Sequence, residues 1–142
     1  MGLARQLPMG GKLADGTYKM TGDTGSPRYM APEVALEKPY NETCDCYSLG
    51  ILLWQMCSLE VPFEGFTMSM FDKKVVRGGM RPKTDPKWPM PIIELISGCW
   101  STNITNRPSM AVIIEVLRKD IHENQEVRIF LALFDQDSHP WP

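Results

Sequence analysis

Between Thr43 and Leu59 the apolar residues Leu49, Ile51, Leu52, Leu53, Trp54, Met56 and Cys57 fall on every face of a helix rather than along one stripe. A helix that is apolar all round needs cover on all sides, so this segment is expected to be fully buried. Asn41 or Thr43 can cap its N-terminus through a side-chain oxygen, Asp45 then stands in the first turn where the helix dipole favours a carboxylate, and Pro62 ends it. A second strong helix is predicted after Pro108, which suits a first helical position, because Met110, Ile113, Ile114, Leu117 and Ile121 recur at steps of three and four. Weaker helical stretches run from Thr67 to Val76 and from Ile92 to Trp100. Gly78-Gly79 and a loop with Pro82, Pro86, Pro89 and Pro91 separate them. Pro32 permits a helical turn through Leu36 before Pro39 stops it. No segment alternates cleanly at period two, and Val127 to Phe134 is the one stretch ambiguous between strand and helix. The expected fold is therefore mainly α.

Residues 1–30, rich in Gly, Thr and Ser, read as a long loop, and residues 123–142 read as a tail whose end is expected to be poorly ordered. A chain of 142 residues, 43% hydrophobic and 23% charged, is ordinary for one soluble domain or part of one. No apolar run approaches the ~20 residues a bilayer span needs. Met1 to Gln6 carries no secretory core, and Gln6 stands where a myristoylation signal wants Ser or Thr, so no membrane partner and a cytoplasmic location are the default. With a net charge of −2 and scattered basic residues, nucleic acid is not an expected partner. Cys44, Cys46, Cys57 and Cys99 lack zinc-ligand spacing and are expected to be buried, reduced thiols; no metal site is expected. Asn41-Glu42-Thr43 and Asn103-Ile104-Thr105 match the glycosylation sequon by chance.

The informative stretch is Gly25-Ser26-Pro27-Arg28-Tyr29-Met30-Ala31-Pro32-Glu33. It resembles the end of the activation segment of protein kinases, with Ala31-Pro32-Glu33 matching the A-P-E element. Three further matches come in the family's order: Asp45-x-Tyr47-Ser48-x-Gly50, then Pro62-Phe63, then Cys99-Trp100 with Arg107-Pro108. Upstream, Gly2-Leu3-Ala4-Arg5 resembles the residues after Asp-Phe in the D-F-G element, with Met1 at the Phe position. The resemblance covers residues 1–122 and implies part of a kinase domain: an activation segment, 1–33, and the helical C-terminal lobe, 34–122, without the N-terminal lobe.

The resemblance implies a role for each matched residue. Glu33 and Arg107 are expected to form a buried ion pair, and Asp45 to accept hydrogen bonds from the backbone of a catalytic loop. Gly2, Ala31, Pro32, Gly50 and Trp100 complete the structural motif. Ser26 and Pro27 fall at the substrate hydroxyl and favour Ser/Thr over Tyr specificity, whereas Leu53-Trp54, Cys99-Trp100 and Arg107-Pro108 look more like tyrosine kinases. A member of the tyrosine-kinase-like group of Ser/Thr kinases reconciles the two. Thr17, Tyr18, Thr21 and Thr24 are candidate phosphorylation sites, because a phosphate in such a segment can order it by recruiting an arginine.

Phosphoryl transfer in this family needs a Gly-rich loop, a strand Lys, an H-R-D Asp, an Asn and the D-F-G Asp. These 142 residues contain none of them. The chain as given is thus expected to be inactive, with no catalytic, cofactor or metal residue of its own; ATP and Mg belong to a complete parent domain. Two readings result: a fragment of a genuine kinase whose start lies upstream, acting on protein substrates, or a non-catalytic module that binds docking partners around Thr67 to Val76. An unrelated helical binding protein is a third. Without the parent's other elements the Thr43 to Leu59 helix should expose an apolar face. At ~25 cal/mol per Å² a few hundred Å² uncovered amounts to about 5 to 10 kcal/mol, enough to leave the chain aggregation-prone or partly molten unless a partner covers it.

Overall fold

The computed structural model describes residues 12–18 and 27–123. Along them run a 3-10 turn at Pro27–Tyr29, α1 (Pro32–Ala35), α2 (Thr43–Ser58), α3 (Met68–Phe71) continuing into a π-helical stretch at Asp72–Val76, α4 (Met90–Cys99), a 3-10 turn at Ile104–Asn106, and α5 (Met110–Glu123). The described residues are mainly helical and contain no strand, only an isolated antiparallel bridge between Tyr18 and Tyr40. None of their helices is long and apolar enough to cross a membrane. The ambiguous Val127 to Phe134 stretch lies outside the described residues.

Local chemistry adjusts several expected boundaries. Before α2, the Asn41 carboxamide oxygen accepts from the Thr43 amide at 3.1 Å and from its hydroxyl at 2.6 Å. That is a turn preceding the helix rather than a cap on it. The helix stops before Pro62: Leu59 adopts a left-handed conformation, φ 57°, and its amide closes on the Gln55 carbonyl. Such a conformation is uncommon for a residue with a Cβ. Thr67 caps α3, its hydroxyl accepting from the Met70 amide at 3.3 Å. α4 starts at Met90, earlier than expected, because Pro91 sits in its first turn, where a missing N–H costs nothing. Pro108 is not in α5; Ser109 precedes the helix and its hydroxyl accepts from Val112 at 3.4 Å.

The core forms where α2 crosses α4 and α4 packs on α5. Ile51, Ile96, Cys99 and Ile113 are sealed at this junction. Gly50 sets how close α2 and α4 come: a Cβ there would stand 2.6 Å from the Cys99 Cβ. Phe63 meets Phe71 edge-on with ring centroids 5.4 Å apart, which seats α3 against the end of α2. The Trp54 indole donates to the Lys83 carbonyl at 2.9 Å and so pins the proline-rich loop.

Full burial of α2 does not hold. Leu52 is 44% exposed, Met56 62% and the following Leu59 89%. One side of an all-apolar helix is therefore open. In α5, Ile113 is buried and Leu117 packs on the core, but Met110 and Ile114 are exposed, so the predicted stripe is broader than the face that is covered. The cysteines also divide. Cys46 and Cys99 are buried and Cys44 half-buried, while Cys57 is exposed, against the expectation that all four are interior. Burial, with Asp45 adding to it, pushes the Cys44 thiol up to about 12, and burial does the same to Cys99, so neither is an anionic ligand near neutral pH.

Candidate functional site

Ala31, extended and buried, turns the chain so that Pro32 opens α1 and Glu33 lies in its first turn. The single turn of α1 is too short to stand alone, and backbone bonds from Leu36 to Pro32 and from Lys38 to Glu33 close it. On the far side of the sequence, the Asn103 carboxamide oxygen accepts from the Thr105 amide at 3.1 Å and shapes the turn Ile104–Asn106. Arg107 then extends inward. Its guanidinium meets Glu33 through two parallel bonds, Nη1 to Oε1 at 2.6 Å and Nη2 to Oε2 at 2.9 Å. It also donates to the Thr43 carbonyl at 3.0 Å and, from Nε, to the Ser101 carbonyl at 3.0 Å. The Arg107 side chain is 0% exposed and that of Glu33 10%. A buried charge pair persists only when its fork geometry and remaining donors are satisfied, which four bonds achieve here.

The segment before Glu33 is bound along α2. Ser48 donates to the Tyr29 carbonyl at 2.8 Å, the Tyr29 hydroxyl to Gln55 at 2.6 Å, and Arg28 to the Pro62 carbonyl at 3.1 Å. Pro27, Met30, Ala35 and Glu37 then face Met68, Phe71, Asp72 and Val76 across a groove of about 150 Å³. The groove has one apolar wall from each side, with the carboxylates of Glu37 and Asp72 among its lining.

Beneath the ion pair, Tyr47 is wholly buried and its ring lies under two guanidiniums, Arg81 at 5.0 Å and Arg107 at 5.2 Å from the centroid. Burial raises the phenol above its usual range, so the hydroxyl is neutral. Trp100, buried where α4 ends, accepts from Arg81 Nε through its carbonyl at 2.9 Å.

The structure thus brings together Ala31, Pro32, Glu33, Gly50, Trp100 and Arg107 around α2 and α4. Pro27 lines the groove beside them. Asp45 stands apart: it is exposed, and its carboxylate accepts from the Cys44 thiol at 3.8 Å. Thr17 is buried with its hydroxyl donating to Asp15 at 2.7 Å, a hydrogen bond that also holds the Asp15 carboxyl low. Tyr18 exchanges backbone bonds with Tyr40 at 2.8 and 3.0 Å. Gly2, Thr21, Thr24 and Ser26 lie outside the described residues. Sequence reasoning missed Arg28, Tyr29, Ser48 and Arg81 as connectors. Ser48 belonged to a matched motif, but Arg81 carried no signal beyond an arginine beside a proline.

Among the described residues no cluster of three or more His, Cys, Asp or Glu could hold a metal ion.

A family model described as protein tyrosine and serine/threonine kinase matches residues 1–117. Among curated relatives, the chain is 38% identical over 104 residues to serine/threonine-protein kinase STY17 of Arabidopsis thaliana, covering 73% of this chain and 18% of that protein. It is 38% identical over 98 residues to serine/threonine/tyrosine-protein kinase HT1 of Arabidopsis thaliana, covering 69% of this chain and 25% of that protein. Human mitogen-activated protein kinase kinase kinase 7 is 36% identical over 108 residues, 75% of this chain and 18% of that protein. The chain therefore spans a quarter or less of the length of these relatives.

Proposed function

Because this chain belongs to the protein tyrosine and serine/threonine kinase family, we propose that its residues form the substrate-side half of a protein Ser/Thr kinase domain of the tyrosine-kinase-like group. In this reading residues 1–33 are the activation segment, residues 34–122 the helical C-terminal lobe, and Ser26 and Pro27 meet the protein substrate. The buried Glu33–Arg107 pair carries the proposal: it joins Ala31-Pro32-Glu33 to Arg107-Pro108 across 74 positions of sequence, the geometry such a domain needs to hold its activation segment on the helical lobe. Transfer of the ATP γ-phosphate then depends on a nucleotide cradle, a catalytic Asp and magnesium ligands that these 142 residues do not include.

Mapping the 5′ end of the transcript tests this. In-frame codons for H-R-D and for the Asp preceding Met1-Gly2 are expected, and the longer product should label protein Ser or Thr from ATP while the 142-residue chain alone does not. An in-frame stop before those codons sinks the catalytic reading. One observation favours a second reading, a non-catalytic protein-interaction module: the groove between Pro27–Glu37 and Met68–Val76 is formed without any nucleotide-binding element. That reading gains if the stop is found and the chain alone retains a protein partner that Met68→Asp, at an exposed residue of the groove, releases.

A further inference from the structure

Arg81 sits in the loop between the π-helical stretch Asp72–Val76 and α4, and its guanidinium has no carboxylate within ion-pair distance among the described residues. Its donors go instead to carbonyls: Nε to Trp100 at 2.9 Å, Nη1 to Val75 at 3.3 Å and to its neighbour Met80 at 2.9 Å. Its charge rests over the Tyr47 ring, 5.0 Å from the centroid. A half-buried cation held by carbonyls and a π face is costly to desolvate, so the arrangement needs a compensating fit. Tyr47 has a complementary peculiarity. Its hydroxyl is buried and makes no hydrogen bond within the described structure. The ring is therefore held by what packs on it, and among those groups are Arg81 and Arg107, 5.2 Å away. Arg107 in turn grips Glu33 and the first carbonyl of α2, that of Thr43.

We propose that Arg81 is a positioning residue: from the Val75 carbonyl it reaches, through the Tyr47 ring, the Arg107–Glu33 pair, and so helps to hold segment 27–36 in addition to the direct packing of α1 on Asp72–Val76. The coupling stands on geometry and does not require kinase activity.

Hydrogen exchange on the full 142-residue chain reads the coupling at the amides of Val34, Ala35 and Leu36, which close α1 and which Arg81 does not touch. Arg81→Ala is expected to speed their exchange about tenfold, the size of one partly desolvated cation–π contact, while amides in the middle of α5 stay within about twofold. Tyr47→Phe keeps the ring and should keep that response; in Tyr47→Leu it should vanish. Arg81→Lys retains the charge but cannot fork between the Trp100 and Val75 carbonyls, and should give the same pattern at smaller size. The proposal is overturned if faster exchange is confined to residues 75–81 and 100–101, if it is equal at α1 and α5, or if it survives undiminished in Tyr47→Leu. Should Arg81→Ala or Tyr47→Leu fail to fold, the Lys and Phe variants decide: wild-type exchange at α1 in Arg81→Lys, or loss of its effect in the Tyr47→Phe background, also overturns it. None of these outcomes depends on phosphoryl transfer, so the kinase reading and the coupling can fail separately.

Discussion

On one side of α2, Tyr47, Gly50, Ile51 and Trp54 are closed over by α4, the proline-rich loop and the Glu33–Arg107 pair; on the other, Leu52 and Met56 look outward beside Asp45, 44% and 62% exposed. Both sides are apolar, and nothing in residue type alone distinguishes a Leu that will be covered from one that will not. The covered side, however, carries what an interface requires beyond apolarity: a glycine where backbones approach, an indole N–H with an acceptor, and an aromatic face for two guanidiniums. The open side has only apolar surface and a carboxylate. Close backbone approach and specific partners for Trp54 and for the Tyr47 ring, rather than hydrophobicity, mark the side of the helix that this chain itself covers, even though the Tyr47 hydroxyl is buried without a hydrogen bond.

That contrast can be broken most forcefully at its covered edge. Arg107→Ala leaves the buried Glu33 carboxylate without its partner and should cost about 3 to 5 kcal/mol, read by urea unfolding. If the loss is under about 1 kcal/mol, the covered side is not organised by the pair. Gly50→Ala drives a Cβ to 2.6 Å from the Cys99 Cβ, with no flexible tip to yield. A cost of about 1 to 3 kcal/mol is expected, and Gly50→Ala combined with Cys99→Gly should recover part of it, because the clash is with the Cβ that the second change deletes. Trp54→Phe removes the 2.9 Å bond to Lys83 together with part of a buried ring and should cost about 1 to 3 kcal/mol, with the loop at 82–86 becoming more susceptible to protease. On the open side, Met56→Glu should change stability by no more than about 0.5 kcal/mol. Its effect should appear instead as reduced self-association in sedimentation and weaker binding of a hydrophobic dye. A large loss of stability from Met56→Glu would mean that the open side is covered after all, and the contrast would collapse.

The two described ion pairs repeat the lesson at smaller scale. Asp72 and Arg77 approach to 2.8 Å, nearly as close as Glu33 and Arg107 at 2.6 Å, yet their side chains are 49% and 65% exposed, so solvent screening leaves that pair worth little. Separation along the chain, five positions against 74, is readable in the sequence; burial is not.

Much of the fold was legible because helices report themselves locally. The extent of α2 and α5, the turn after Pro32 and the proline-rich loop follow from periodicity and from backbone rules that act within a few residues. The errors were also local: Leu59 ended α2 in a left-handed conformation that a leucine does not advertise, and Ser109 displaced Pro108 at the start of α5. For the site, motif residues identified Glu33, Arg107, Gly50 and Trp100 as belonging together, but the links that bind them, Ser48 to Tyr29, Trp54 to Lys83 and Arg81 across Tyr47, join residues 19 to 34 positions apart with no shared pattern. What the sequence determined by itself is the helical content, the turn chemistry and an all-apolar α2 that would need cover. Which side of that helix is covered, which arginine is buried and which merely solvated, and which tyrosine ends beneath two cations were decided by tertiary structure alone. The reason is physical: burial and desolvation belong to the packed surroundings of a group, and those surroundings come from segments that no local stretch of sequence contains.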